Sequence, residues 1–182
     1  NTMCNILSDR DHQAKQPINL NQSIQNVYHL FKISLGKVDL KLGKIPQLFA
    51  RQDMIEILLS NLFKNATEAC SERVNLKIKT SYDKDKIVFV FTDNGKGMPP
   101  ERVDTLFFQT ITTKKDGSGV GMSVIKNIIR ELNGSISVDS VVNQGTTFTF
   151  AIPPLMQVIN QSEKADSVSS SSNISTTDLL KY

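Results

Sequence analysis

The residue types at Asp93-Asn94-Gly95-Lys96-Gly97-Met98 suggest chemistry more than architecture. A carboxylate closes an apolar run at 87–92 and is followed by two glycines one residue apart. Glycine weakens regular structure, and its merit is positive φ or a close approach of backbone to a ligand. One reading is a planar, polar group read by Asp93 and lying on the backbone of Gly95 and Gly97. An ordinary strand-to-loop turn is the other, since Asp, Asn and Gly are all turn residues. A second stretch, Gly117-Ser118-Gly119-Val120-Gly121, runs straight into an amphipathic pattern. Free N–H groups and the helix dipole make such a loop an anion site in physical terms. It is not a Walker A loop, because no Gly-Lys-Ser/Thr follows, nor a Rossmann fingerprint, because Met122 stands where the third glycine belongs. A tight turn would use the same glycines. Thirdly, Asn61, Asn65 and Glu68 are spaced +4 and +3 and share one flank of a helix. They face either a cleft or solvent; asparagine is a poor helix former, so two of them inside a helix ask for a reason.

The elements that must carry these residues follow from periodicity. A helix over 53–71 has Ile55, Leu58, Leu59, Leu62, Phe63, Ala66 and Ala69 on one stripe, with Asp53 as N-cap and Glu56 completing a capping box. A helix over 120–132 buries Val124, Ile125, Ile128, Ile129 and Leu132 and ends on Asn133-Gly134. An earlier helix, capped by Asn21 or Ser23, sets Ile24, Val27, Leu30 and Phe31 on one face. Strands are expected at 38–42, 45–49, 74–82, 86–92, 135–140 and 146–152, with 17–20 extended and a hairpin turn at Asp83-Lys84-Asp85. A short helix starts at Pro99-Pro100-Glu101. Residues 106–118 read as a mobile loop anchored by Phe107 and Phe108. Residues 1–16 read as a helix end and a linker, and 155–182 as a disordered, Ser-rich tail or linker.

Composition narrows the function class. The 182 residues, 39% of them apolar, suit one compact α/β domain of about 140 residues plus tails. A net charge of +3 with scattered lysines argues against nucleic acid. Cys4 and Cys70 lack metal-ligand spacing and read as free thiols of a reducing compartment, which points to the cytoplasm. No apolar run is long enough to span a membrane, so no direct membrane contact by this segment is expected. The chain opens on Asn1 and reads as a piece of something longer.

The three stretches occur in a fixed order, and that order resembles a known family. The chain is similar to the ATP-binding catalytic domain of sensor histidine kinases, in the superfamily shared with gyrase, chaperone and mismatch-repair ATPases. Residues 61–69 match the N box, 93–98 the G1 box, 106–114 the F box, 117–122 the G2 box and 145–148 the closing strand motif. The resemblance covers roughly 17–154. It implies an α/β two-layer sandwich of Bergerat type, a mixed, mostly antiparallel sheet of about five strands on about three helices. It also implies that Asp93 accepts a hydrogen bond from the adenine amino group, which a guanine keto oxygen cannot give. Gly95 and Gly97 would admit the base and α-phosphate, and Thr146 would hold a water or the ring nitrogen. Asn65 would give its amide oxygen to Mg²⁺, with Asn61 one helical turn before it in support. Residues 106–114 would be a lid, Lys114 a point charge on the γ-phosphate, and Gly117, Gly119 and Gly121 hinges and N–H donors. The nucleotide-contacting set so implied is Asn65, Asp93, Gly95, Gly97, Met98, Thr113, Lys114, Gly117, Ser118, Gly119, Val120, Gly121, Met122 and Thr146. Asn61, Asn65 and Lys114 are its catalytic members and Asn65 its metal ligand.

Two departures matter. The ATPases of the superfamily carry Glu where Asn61 stands; Asn cannot act as a general base, so hydrolysis should be slow and transfer to another acceptor favoured. Glu68 is a base by chemistry, but its place suits orientation better. In the F box, Gln109, Thr110 and Ile111 replace a Pro and two aromatics. The expected reaction is donation of the γ-phosphate of Mg-ATP to a histidine on a dimerisation domain of the same kinase, with a response regulator downstream. Neither His12, in a linker, nor His29, in a packing helix, fits the phosphoacceptor. The alternatives are a nucleotide-binding regulatory module and an anti-sigma-type serine kinase of the same fold. Whether the full-length protein is tethered to a membrane is left open.

Overall fold

The computed structural model describes residues 14–106 and 120–154. The expected helix end at 1–8, the lid residues Phe107, Phe108, Thr113 and Lys114, the loop residues Gly117, Ser118 and Gly119, and the tail from 155 lie outside them.

The two long helices expected from periodicity, over 53–71 and 120–132, form on their apolar stripes. In α1 (Leu20–Phe31), Leu20, Ile24 and Val27 are buried. The cap is Asn19, whose side chain accepts the Gln22 N–H at 3.3 Å, rather than Asn21 or Ser23. Asn21 serves elsewhere: its amide donates to the Gly43 carbonyl at 2.9 Å and accepts from the Thr80 hydroxyl at 2.7 Å, tying the helix to the sheet. Leu30 departs from the expected face and is 79% exposed, beside Ile33 at 87%. The helix turns that position outward, while Phe31 stacks on Phe63 with centroids 5.4 Å apart.

Helix α2 (Gln52–Glu68) buries Met54, Ile55, Leu58, Leu59, Leu62, Phe63 and Ala66. The expected capping box at Asp53 is absent: Arg51 is the cap residue and makes no side-chain cap bond. Asp53 falls in the first turn instead. Arg51 holds it in an ion pair at 2.6 Å and keeps its carboxyl below the usual carboxylate range. An acid there still favours the helix through the dipole. A short α3 (Pro100–Thr105) starts on proline, and α4 (Val120–Glu131) ends as expected on Asn133, φ 53°, with Gly134 N–H returning to the Ile129 carbonyl at 2.9 Å.

A two-stranded ribbon joins β1 (Gln16–Ile18) to β3 (Leu48–Ala50), antiparallel. The main sheet has the order β2-β4-β5-β7-β6. Its members are β2 (Leu35–Leu42), β4 (Val74–Asp83), β5 (Lys86–Asp93), β6 (Ser135–Val141) and β7 (Gly145–Ile152). All its ladders are antiparallel except the parallel β2–β4 pair. This is the mixed sheet expected from the resemblance, with four helices among the described residues rather than about three. The β4–β5 turn uses Lys84 and Asp85, both at positive φ, as a two-residue hairpin needs.

Alternation along the strands gives the sheet two unlike faces. Ile87, Phe89, Phe91 and Asp93 of β5 point to the helices and are buried. Phe63 of α2 meets Phe91 edge-on at 5.3 Å, and Phe89 stacks on Phe150 of β7 at 5.2 Å. The other face carries Lys77, Thr92 and Thr147 in one row, with the two threonine hydroxyls 3.0 Å apart. No helix among the described residues is long and apolar enough to cross a membrane.

Candidate functional site

The site is built where three segments converge on the end of β5. Asp93, the last residue of that strand, is paired in register with Leu76 of β4 and Thr146 of β7. Asp93 is 5% exposed and Thr146 7%. One carboxylate oxygen, Oδ1, accepts the Gly95 N–H at 2.8 Å and the Thr146 N–H at 3.3 Å. Among the described residues Oδ2 has no partner, and it is not sealed from the surface. Burial pushes the Asp93 carboxyl above the usual carboxylate range, and the two N–H donors work against that shift. A buried acceptor with one oxygen fixed and the other open is set up to read a donor.

The loop after Asp93 is held by the protein itself. Lys96 N–H donates to the Ala69 carbonyl at 3.0 Å, and Asn143 N–H donates to the Lys96 carbonyl at 2.8 Å. Met98 N–H donates to the Ser140 hydroxyl at 2.9 Å. Gly97, at φ +62°, leaves no room for a side chain: a Cβ there would sit 2.0 Å from the Val141 carbonyl oxygen. A Cβ on Gly145, at φ +113°, would sit as close to the Asp93 carbonyl oxygen. Gly95 is buried against Ala69. Gly97 and Gly145 are therefore demanded first by backbone meeting backbone, and Gly95 by the Ala69 and Asp93 side chains.

At the other end, Asn61 and Asn65 are half-buried on the flank of α2 facing the start of α4. Asn61 Nδ2 donates to the Ile57 carbonyl at 2.7 Å, and Asn65 Nδ2 lies 3.6 Å from the Met122 sulfur. A Cβ on Gly121 would fall 2.8 Å from Asn61 Oδ1 and 3.8 Å from Asn65 Oδ1, so both amide oxygens are turned toward that helix start. Glu68, expected beside them, is exposed and lies 3.9 Å from Lys64. Val120 opens α4.

The structure thus brings together Asp93, Gly95, Gly97, Met98 and Thr146 at one end, and Asn61, Asn65, Gly121 and Met122 at the other. Gly145, expected as the first residue of the closing strand motif, packs against this loop. Ser140 escaped the sequence reading and gave no signal, being one serine in an alternating strand. A cavity of about 360 Å³, lined by Asp39, Lys77, Thr92, Asp93 and Asn94 among others, opens where the polar row of the sheet reaches this loop.

A family model of histidine kinase-, DNA gyrase B-, and HSP90-like ATPases matches residues 50–156, and the chain belongs to that family. It is 29% identical over 148 residues to the sensor histidine kinase ZraS of Salmonella typhimurium, covering 78% of this chain and 32% of that protein. Against the sensory histidine kinase/phosphatase NtrB of Rhizobium meliloti it is 28% identical over 169 residues, 81% of this chain and 44% of that protein. The chain therefore spans less than half the length of these relatives. Among solved structures, the nucleotide-free catalytic domain of histidine kinase ThkA superposes with a TM-score of 0.68 at 29% identity, over 78% of this chain and 96% of that one. Full-length ShkA in complex with AMPPNP shares the fold, with a TM-score of 0.68 at 20% identity over 78% of this chain and 31% of that one.

Proposed function

We propose that residues 17–154 form the ATP-binding catalytic domain of a sensor histidine kinase. It would bind Mg-ATP and donate the γ-phosphate to a histidine on a dimerisation domain, from which a response regulator takes it. The observation that carries the reading is Asp93, buried, with Oδ1 committed to two N–H groups and Oδ2 open. Such an acceptor selects the exocyclic amino group of adenine. Thr146 stands beside it, and the loop at Gly95, Gly97 and Met98 would flank the base.

The residues present fit a magnesium ion of one particular kind. Among the described residues no group of three His, Cys, Asp or Glu side chains is placed to hold a metal. Asn65 offers one neutral oxygen. Mg²⁺ bound chiefly by phosphate oxygens and waters needs no more from the protein. When bound, the ion neutralises phosphate charge and orients the transferring group. Asn61, at the position of the water-activating acid in the ATPases, has no basic group to offer, so water is left unactivated and transfer is favoured over hydrolysis. Lys114, Thr113 and the backbone at Gly117, Ser118, Gly119, Val120 and Gly121 would complete the phosphate end. Residues 1–16 would link to the dimerisation helices and 155–182 would be a tail. A free thiol at Cys70 suits the cytoplasm.

The test supplies a dimerisation domain in trans with γ-labelled ATP and the full chain. An acid-labile, base-stable phosphoryl group on the added domain is the expected result. Nucleotide binding without transfer would favour a regulatory module, and acid-stable label on a serine would favour a serine kinase.

A further inference from the structure

The Ser140 hydroxyl sits at a junction of three hydrogen bonds. It accepts the Met98 N–H at 2.9 Å, donates to the Gly145 carbonyl at 3.0 Å and lies 2.9 Å from the Thr146 hydroxyl. Ser140 is the β6 partner of Thr146, and Thr146 the β7 partner of Asp93, so the three side chains stand in one row on the helix side of the sheet. A serine hydroxyl has one proton and two lone pairs. The Gly145 carbonyl can only accept, so the proton goes there. The Met98 amide can only donate, so it takes one lone pair. The remaining lone pair faces Thr146, and the third contact forms only if Thr146 gives its own proton to Ser140. The reverse direction would set an oxygen lone pair of Ser140 against that of Gly145 at 3.0 Å.

We infer that Ser140 is a positioning residue that fixes Thr146 as a hydrogen-bond acceptor toward the base, so that Thr146 reaches the ring nitrogen of adenine through a water and never by direct donation. The inference rests on the nucleotide reading above. With Thr146 so oriented, Asp93 Oδ2 and Thr146 Oγ1 present acceptors only. Asp93 suits the exocyclic amino group of adenine, and an acceptor at Thr146 needs a water between it and the unprotonated ring nitrogen. Removing the Ser140 hydroxyl frees the Thr146 proton to turn toward the base, where the ring nitrogen of adenine accepts it directly and the ring N–H of a 6-keto purine does not.

The experiment titrates ATP and inosine triphosphate into the full chain and its variants. Ser140→Ala should strengthen ATP relative to inosine triphosphate by up to about tenfold, the equivalent of one hydrogen bond. The preference for ATP then widens by about the same factor. Ser140→Thr, which keeps a hydroxyl, should keep the preference. In a Thr146→Val background, Ser140→Ala should leave the preference unchanged, because there is no proton left to redirect. Equal changes for both nucleotides, a narrowed preference, or a widening that persists without Thr146, would overturn the role. Should Ser140→Ala fail to fold in a thermal melt, Ser140→Cys, with its weak donor, gives the same readout with a smaller shift. A native chain that binds neither nucleotide overturns the nucleotide reading itself. A native chain that prefers ATP, with Ser140→Ala unchanged, overturns only the orientation of Thr146.

Discussion

The two ends of the site are built in opposite ways. Around Asp93, three segments distant in sequence are locked by backbone bonds of 2.8–3.0 Å, from Lys96 to Ala69 and from Asn143 to Lys96, and the Gly95 N–H holds the carboxylate at 2.8 Å. Around Asn65 the contacts are looser. Among the described residues Asn61 bonds only within its own helix, and the partner of the Asn65 amide is a thioether sulfur at 3.6 Å, a weak acceptor. The Asp93 end is finished before any ligand arrives. The other end presents amide oxygens without strong partners among the described residues. On the proposed reading, preorganised acceptors at the first end would discriminate between bases because they cannot adapt, whereas a metal and its phosphates would bring their own geometry to the second.

That contrast is open to attack from its strongest point downward. Gly97→Ala should break the finished end outright: a Cβ would overlap the Val141 carbonyl oxygen and the φ of +62° is strained for alanine, so a loss of about 2–4 kcal/mol is expected in denaturant melts. A loss within experimental error would mean the loop is held less rigidly than its contacts imply. Asp93→Asn should come next, lowering ATP affinity about a hundredfold while admitting 6-keto purines. Its stability should not fall at neutral pH. Asp93 has its folded carboxyl raised, so the fold favours the neutral form. That contribution is complete below the unfolded pKa and is lost as pH rises through the folded one, and a neutral amide avoids the loss. The same sign makes ATP affinity of the native protein fall as pH drops through the raised Asp93 value, earlier than for an ordinary carboxylate. In Asp93→Asn that pH dependence should vanish from titrations.

Asn65→Ala should cost about tenfold in Mg-ATP affinity and clearly less for metal-free nucleotide, sharpening the idea that this end works through the ion. Equal losses with and without Mg²⁺ would remove Asn65 from the metal. The smallest effect belongs to Met122→Leu, a volume-conserving change costing less than about 1.5 kcal/mol, with ATP affinity nearly unchanged. A large loss there would show that the sulfur contact orients Asn65 more firmly than its distance suggests.

Much of this was legible in the chain because burial writes periodicity. The stripes of α2 and α4, the apolar run of β5 and the αL stop at Asn133 appear where spacing puts them. What periodicity does not encode is which polar residue wins a local competition. Asn19, Asn21 and Ser23 can all cap a helix; a carbonyl at Gly43 and a hydroxyl at Thr80 claim Asn21, and the cap falls to Asn19. Asp53 likewise goes to Arg51. Leu30 kept the helical spacing of its neighbours yet faces outward, because a stripe read at i, i+3 and i+6 drifts off the buried side by its third step. In the site, glycines and a strand-end carboxylate announced themselves, whereas Ser140 matters only through partners on two other segments.

Strand β5 is the middle strand of the main sheet, and Asp93 is its last residue. Edge strands fray; a central strand exchanges its amides only when the domain opens as a whole. The Asp93 carboxylate therefore sits at the end of the strand expected to open last. On the proposed reading, sequence drift would find base specificity hard to alter without losing the fold, whereas affinity for the phosphates, resting on a helix flank and a methionine, would drift at little cost to stability.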